Sequence, residues 1–131
     1  MKKTLRTIFL LTLIAGLMSF RYLGILDDVI GAMKAGSSDQ LARYFDNVVE
    51  ITMPDKSNSY SKSQAEMIMK DFFNNYKVKS FDVLHKGDNG SSNYCIGNLQ
   101  TKDGKFRTTL FVKQKGDKQF LQEIRIEAQA P

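Results

Sequence analysis

Apolar residues recur with a helical period just after the first twenty residues. One stripe lies at positions i, i+3, i+4 and i+7 and predicts a helix over residues 22–35. Gly36 can end this helix in the left-handed conformation. Ser37 and Gln40 then have the spacing of a capping box and open a second, shorter helix that we expect to end near Phe45. The stripe consists of Leu26, Val29, Ile30 and Met33.

The next pattern is a short strand, a polar loop and a long amphipathic helix. Asp46-Asn47 predicts a turn, residues 48–53 alternate as a strand, and residues 58–60 predict a brief returning strand. Ser61, with Gln64 three residues later, forms a second capping box. Six apolar residues follow at helical spacing, and so broad a stripe favours packing on a sheet. They are Ala65, Ile68, Met69, Phe72, Phe73 and Tyr76.

The second half of the chain predicts four strands joined by tight turns. Asp103-Gly104 is a hairpin signal, and Gly116-Asp117 marks another turn. Strands at this spacing are typical of an antiparallel meander. We therefore predict one α+β domain over residues 22–127, with residues 128–131 as a tail. The four predicted strands span residues 78–86, 94–101, 105–115 and 118–127.

Residues 1–20 have the pattern of a secretory signal peptide. Basic residues precede an uncharged apolar run at residues 7–20. As a helix, that run would be roughly 21 Å long, shorter than the ~30 Å core of a bilayer. We expect export to the periplasm or cell envelope, with an uncleaved anchor or a buried first helix as open alternatives. Four of the 19 basic residues lie in or beside this segment, which leaves 15 against 14 acidic residues.

The single cysteine and single histidine limit the chemistry. Cys95 indicates a small buried hydrophobe, or else a disulfide between chains. Alternation places His85 on the inward side of its strand near the end, where it would be a pocket acid or base, or simply a residue at the rim. One His and one Cys do not make a zinc site, and we expect no cofactor. The basic residues near the turns are dispersed, which disfavours nucleic acid as a partner.

The order of elements resembles the cone-shaped α+β fold of nuclear transport factor two-like and ketosteroid isomerase-like proteins. Closer still, the chain resembles a family of small exported bacterial proteins catalogued as a domain of unknown function. That likeness rests on YFDN at residues 44–47, SYSKSQAEM from Ser59, and QEIRIE at residues 122–127. The resemblance implies helices packed in a curved antiparallel sheet, with a pocket at the open end of the cone.

The inner face of the last two strands would line such a pocket. Met53 stands where the isomerase-like proteins carry a catalytic Asp before the loop proline, so the resemblance does not transfer that residue. Asp55, just after Pro54, is either a solvated loop residue or a catalytic one. The predicted inner-face residues are Phe106, Thr108, Leu110, Val112, Phe120, Gln122, Ile124 and Ile126. The candidate pocket residues are Tyr44, Met53, Phe73, His85, Thr108 and Gln122.

Two functions remain open from the sequence. The first is a non-enzymatic exported module that binds an apolar small molecule or a protein partner, including a second copy through the sheet. The second is a small-pocket enzyme of isomerase or dehydratase type that uses His85 or Tyr44. The predicted inner face carries no carboxylate, which favours the binding module, because general base catalysis needs a titratable group within reach of the substrate. Contact with a membrane is expected only through the N-terminal signal.

Overall fold

The computed structural model describes residues 24–129. The predicted signal peptide, residues 1–20, lies outside this range, as do residues 130–131. Three helices and six strands make up the described part. The helices are α1 (Leu26–Ala35), α2 (Ser38–Ala42) and α3 (Lys62–Asn75). The strands are β1 (Phe45–Thr52), β2 (Ser57–Ser61), β3 (Val78–Asp88), β4 (Ser92–Thr101), β5 (Gly104–Lys115) and β6 (Lys118–Ala128).

The helix ends follow the local signals in the sequence. Gly36 follows α1 with a φ of 60°, a conformation that glycine adopts without a steric cost. The Ser37 hydroxyl accepts a hydrogen bond from the Gln40 N–H at the start of α2. At α3 both halves of the capping box form, because the Ser61 hydroxyl accepts from the Gln64 N–H and the Gln64 side chain accepts from the Ser61 N–H. The predicted helix starts are confirmed at α2 and α3.

The six strands form one curved sheet in the order β2-β1-β6-β5-β4-β3. Strands β3 to β6 are the predicted antiparallel meander, and β1 and β2 form a hairpin. The chain returns so that β6 lies beside β1, and this one pair is parallel. The fold is α+β, with the helices against one side of the sheet, as predicted.

A single apolar core joins the helices to the inner face of the sheet. From α1 it takes the predicted stripe, and from α3 it takes Ala65, Met69, Phe72 and Phe73. The core is aromatic near the end of α3, where the Phe106 ring lies 5.3 Å from Phe72 and 4.9 Å from Tyr76, measured between centroids. Such edge-to-face contacts add to the burial of the rings.

Several boundaries differ from the sequence prediction. Residues 24–25 precede α1 although they were predicted as helix, and α2 ends at Ala42 rather than near Phe45. The ends of β1 and β6 differ as well. Residues 46–47 were predicted as a turn, but they belong to β1, which begins at Phe45. The reason is that β6 supplies a partner there: the Leu121 N–H donates to the Tyr44 carbonyl at 2.7 Å. At the other end, Ala128 belongs to β6 rather than to a tail, and the Gln129 N–H donates to the Lys105 carbonyl.

Candidate interaction surface

A bulge in β6 changes which of its side chains face inward. The pairing with β5 shifts between Phe111 and Val112, so that Phe111 lies opposite Glu123 and Val112 lies opposite Leu121. Gln122 is the extra residue, and one extra residue reverses the alternation. Leu121 is therefore fully buried, whereas Phe120 and Gln122 are only half-buried. The prediction that Phe120 and Gln122 face inward was wrong, while Ile124 and Ile126 do lie in the core.

A second bulge, in β3, turns His85 outward. The pairing with β4 shifts between Val83 and His85, so that His85 lies opposite Ile96. The His85 Nε2 atom lies 3.1 Å from the Tyr94 hydroxyl, and the side chain is exposed. His85 was predicted to share a face with Phe81 and Val83, and the extra residue at Leu84 is why that prediction was wrong.

Six half-buried side chains form two rows across the outer face of β4, β5 and β6. We call them the outer patch. In one row Tyr94 pairs with Phe111 and Phe111 with Glu123, and in the next Ile96 pairs with Thr109 and Thr109 with Arg125. Within residues 24–129 the helices pack on the other side of the sheet, so no helix of this range covers these six side chains. The members are Tyr94, Ile96, Thr109, Phe111, Glu123 and Arg125.

Direct contacts hold the outer patch in place. The Arg125 guanidinium carbon lies 5.7 Å from the centre of the Phe111 ring, a distance suited to a cation–π contact. Its Nη2 atom donates to Glu123 Oε1 at 2.8 Å. The Tyr94 ring lies 6.0 Å from Phe111 and 5.7 Å from His85. Beside it, β3 carries Gly87, where a Cβ would collide with the Tyr94 ring at 2.1 Å.

A buried carboxylate lies at the start of β1, beside the bulge of β6. Asp46 Oδ2 accepts from Lys115 Nζ at 2.6 Å and from Gln122 Nε2 at 2.9 Å, and Oδ1 accepts from the Asn47 N–H at 2.7 Å. Burial alone would raise the pKa of Asp46, but these hydrogen bonds outweigh it and hold the pKa below its usual value. We call Asp46, Lys115 and Gln122 the Asp46 cluster.

Sequence reasoning missed the Asp46 cluster because its members are far apart in the chain. Asp46 was assigned to a turn, where a carboxylate is ordinary. Two signals could have found it: Asp46 belongs to the YFDN motif and Gln122 begins QEIRIE, and both were recognised as parts of one resemblance. The structure joins them by a hydrogen bond across 76 residues.

The six predicted pocket residues lie in separate places. Phe73 and Thr108 are in the core, and Met53 packs partly against it at the end of β1. Tyr44 borders a groove of about 360 Å³ between α1 and α2. His85 is on the outer face, and Gln122 belongs to the Asp46 cluster.

Large side chains line the space between α3 and the sheet, and each is no more than 6% exposed. Beside them Thr108 is fully buried, and its hydroxyl has no hydrogen-bond partner among residues 24–129. The large side chains include Met69, Phe72, Phe73, Phe81, Leu99, Phe106 and Leu110.

A shallow groove of about 300 Å³ separates the start of α1 from the β3–β4 hairpin. Its lining includes Asp27 and Asp88, and Lys86 Nζ spans it to Asp27 Oδ1 at 2.8 Å. Among residues 24–129, no group of three His, Cys, Asp or Glu side chains could hold a metal ion. No helix in this range is long and apolar enough to cross a membrane.

Cys95 is fully buried, and burial raises the pKa of its thiol to about 11. It is therefore protonated at neutral pH and shielded from other chains. The structure supports the small-hydrophobe interpretation over a disulfide between chains.

Some solved structures share both sequence and fold with this chain, and others share only the fold. A DUF4783 family protein from Bacteroides uniformis is 36% identical, with a TM-score of 0.79 over 82% of this chain and 100% of that chain. A second, from Bacteroides ovatus, is 34% identical, with a TM-score of 0.76 over 79% of this chain and 94% of that one. An NTF2-like protein of unknown function from Cytophaga hutchinsonii shares the fold at 8% identity, with a TM-score of 0.59 over 80% and 87%.

No curated protein matches the chain significantly. The family model described as "Domain of unknown function (DUF4783)" matches residues 26–127, from the start of α1 to the last residue but one of β6. The matched span contains the Asp46 cluster, the outer patch and all of the sheet except Ala128. This chain therefore belongs to the DUF4783 family, and its fold is nuclear transport factor two-like.

Proposed function

We propose that this protein is an exported, non-enzymatic interaction module that binds a second copy of itself through the outer patch. The observation that carries the proposal is the half-exposed surface of Tyr94, Ile96 and Phe111 in the middle of a sheet face that no helix of residues 24–129 covers. Aromatic residues flanked by Arg are the side chains that dominate the binding energy of protein interfaces.

The packed interior favours a surface function over a pocket function. Large side chains occupy the space between α3 and the sheet, and they leave His85 and Tyr44 on different sides of the molecule. An acid–base enzyme would need its titratable group and its substrate in one enclosed place. His85 is instead exposed and hydrogen-bonded to the Tyr94 hydroxyl at the border of the outer patch.

The outer patch has the distribution of groups that a two-fold contact requires. Charged groups lie on its β6 side, as Glu123 and Arg125, while Tyr94 and Ile96 lie on its β4 side. A two-fold axis along β5 would set the β4 side of one copy over the β6 side of the other. The Tyr94 hydroxyl would then meet charged groups of the partner, and Phe111 would lie at the centre of an aligned sheet-on-sheet contact.

Replacement of Phe111 by Lys tests this contact. Phe111→Lys places a charge at the centre of the interface, where it loses its hydration, so we expect the dissociation constant of the dimer to rise at least about a hundredfold. The matched control is Met67→Lys, because Met67 is a 66% exposed apolar residue on α3, away from the outer face. Light scattering after size exclusion, on protein purified from cells that express the full chain, gives the mass.

We expect the control to assemble like the parent protein and Phe111→Lys to dissociate at concentrations where the parent stays associated. Far-ultraviolet circular dichroism and thermal unfolding must show that both variants are folded. Equal assembly of all three proteins would contradict the proposal. Equal dissociation of both Lys variants would also contradict it, because the effect would then not depend on the outer patch.

Export is the second part of the proposal, and N-terminal sequencing tests it. The basic start and short apolar run of residues 1–20 support cleavage after Ser19, the best-placed small residue. We expect the protein recovered from outside the cytoplasm to begin at or near Phe20. A protein that begins at Met1 and sediments with membranes would contradict cleavage and favour the anchor.

A further inference from the structure

Strand β2 forms one edge of the sheet and exposes backbone groups that no described strand uses. Its five residues pair with β1 on one side only. Met53 and Lys56 exchange both of their backbone hydrogen bonds, so the hydrogen-bonded pairs of this hairpin continue at every second residue. Asn58 and Tyr60 therefore direct their backbone groups toward β1.

Ser57 and Ser59 direct their backbone N–H and C=O groups away from β1, toward the open edge. Ser61, two residues further on, also directs its backbone N–H away from β1: this N–H donates to the Gln64 side chain. The capping box thus occupies the outward N–H at the end of the strand. Two donors and two acceptors, at Ser57 and Ser59, are left unused by the residues that the structure describes.

This edge lacks the features that usually keep sheet edges apart. Charged side chains, prolines and bulges prevent edge strands from pairing with other chains. The opposite edge, β3, has two bulges and carries Lys79, Asp82 and Lys86. Strand β2 is entirely uncharged, has an unbroken register with β1, and has serine at three of its five positions.

We propose that β2 pairs edge to edge with β2 of a second copy, in antiparallel register, with Ser57 opposite the partner's Ser59. In this register Ser57 and Ser59 each exchange two hydrogen bonds with the partner, so all four open backbone groups are used. The two-fold axis passes between Asn58 and the partner's Asn58. A register shift of two residues either way, the smallest that keeps outward groups opposite each other, leaves only two of the four groups matched.

Side chains at both ends of the paired strands suit this register. Because Ser57 lies opposite the partner's Ser59, Asp55 comes beside the partner's Ser61 and Lys62, so that opposite charges meet on each side of the axis. Lys56 comes opposite the partner's Tyr60, whose ring is half-buried. No like charges face each other across the axis, since the three central residues are uncharged.

The edge contact is independent of the outer patch. Each contact has its own two-fold axis, and two different two-fold contacts on one chain link dimers into larger assemblies. The parent protein should therefore form species larger than a dimer. A variant that lacks one contact should stop at a dimer held by the other.

Proline at residue 59 tests the edge contact with little effect on the hairpin. Proline has no N–H, and the Ser59 N–H points away from β1, so Ser59→Pro removes an outward donor and leaves the β1–β2 hydrogen bonds in place. We expect this variant to dissociate from larger species to a dimer, with an edge dissociation constant raised at least about tenfold. Ser59→Ala is the matched control, because it removes the hydroxyl and keeps the N–H.

Combination with Phe111→Lys separates the two proposals. We expect Phe111→Lys to leave a dimer held by the edge, Ser59→Pro to leave a dimer held by the outer patch, and the double variant to be a monomer. If only the outer patch proposal fails, Phe111→Lys assembles like the parent while Ser59→Pro is a monomer. If Ser59→Pro assembles like the parent at every concentration, the edge contact is overturned.

Amide hydrogen exchange gives a second reading that does not depend on a variant. The Ser57 and Ser59 N–H groups should exchange slowly in concentrated protein and fast after dilution, because only the partner protects them. The Asn58 and Tyr60 N–H groups, which bond to β1, should be protected at both concentrations. Fast exchange at Ser57 and Ser59 in concentrated protein would overturn the proposal, even if the protein assembles.

Discussion

At the scale of single residues, the unpaired hydroxyl of Thr108 is the least expected feature of the core. Thr108 is fully buried between strands β4 and β6, beside Gly97 and Ile126, and within the described part of the chain its hydroxyl oxygen has no hydrogen-bond partner. A buried hydroxyl without a hydrogen bond costs free energy, because water would have bonded it in the unfolded chain.

Replacement of Thr108 by Val removes that cost and keeps the branched shape. We expect Thr108→Val to raise the free energy of unfolding by about 1 kcal/mol, measured by urea denaturation. Thr109→Val, one residue along on the outer face, is the control and should change stability much less. A clear loss of stability in Thr108→Val would contradict this interpretation and show that the hydroxyl bonds a buried water or ligand.

Single residues are also where prediction from the sequence failed. Alternation placed Phe106, Thr108, Leu110 and Val112 in the core, and all four are buried. The same rule failed for His85 and for Gln122, because each lies at or beyond a bulge. A bulge depends on the neighbouring strand, so the order of apolar and polar residues in one strand does not reveal it.

At the scale of elements, the Asp46 cluster ties three strands together. Asp46 is in β1, Gln122 is the bulged residue of β6, and Lys115 reaches over from the end of β5. The carboxylate thus stabilises both the bulge and the parallel β1–β6 pair. Since hydrogen bonds and the ammonium group hold the pKa of Asp46 below its usual value, ionised Asp46 favours the folded state.

Replacement of Asp46 by Asn should destabilise the protein in a pH-dependent way. At neutral pH we expect Asp46→Asn to lower the free energy of unfolding by about 1–3 kcal/mol, because it removes the charged partner of Lys115. A carboxyl whose pKa is lowered on folding contributes in full above its unfolded pKa, near 3.9, and loses this contribution as the pH falls through the folded value. The difference between the two proteins should therefore shrink below about pH 4.

Urea denaturation at a series of pH values measures this difference. Asp71→Asn, an exposed carboxylate on α3, is the control and should follow the parent closely at each pH. A difference between Asp46→Asn and the parent that stays constant from pH 7 to pH 3 would contradict a role for the ionised carboxylate.

Elements were easier to predict from the sequence than the contacts between them. Both Ser-capped helices and the Asp-Gly hairpin follow from local chemistry, and their positions agree with the structure within a few residues. The parallel return of β6 beside β1 has no local signal, which is why residues 46–47 were assigned to a turn. The resemblance of whole segments to a known fold supplied what local patterns did not.

At the scale of the whole molecule, the structure favours binding through the outer face of the sheet over binding in an internal pocket. Folds of the nuclear transport factor two-like type host many functions, so the fold alone does not identify the function of this chain. Here the large side chains between α3 and the sheet are buried from solvent, and the outer face presents half-buried aromatic rings with an Arg and a Glu beside them. Association through that face is the central claim.

The most direct test is methyl NMR during dilution of the full-length Ser59→Pro variant, in which only the outer patch is expected to hold two copies together. If two copies meet through the outer patch, the methyl signals of Ile96 and Thr109 will shift together as the protein is diluted, and the Met67 methyl on α3 will stay in place. The concentration at the midpoint should match the dissociation constant from light scattering. Ile96 and Thr109 signals that do not move while the mass of the particles falls would show that the copies meet elsewhere and would contradict the claim.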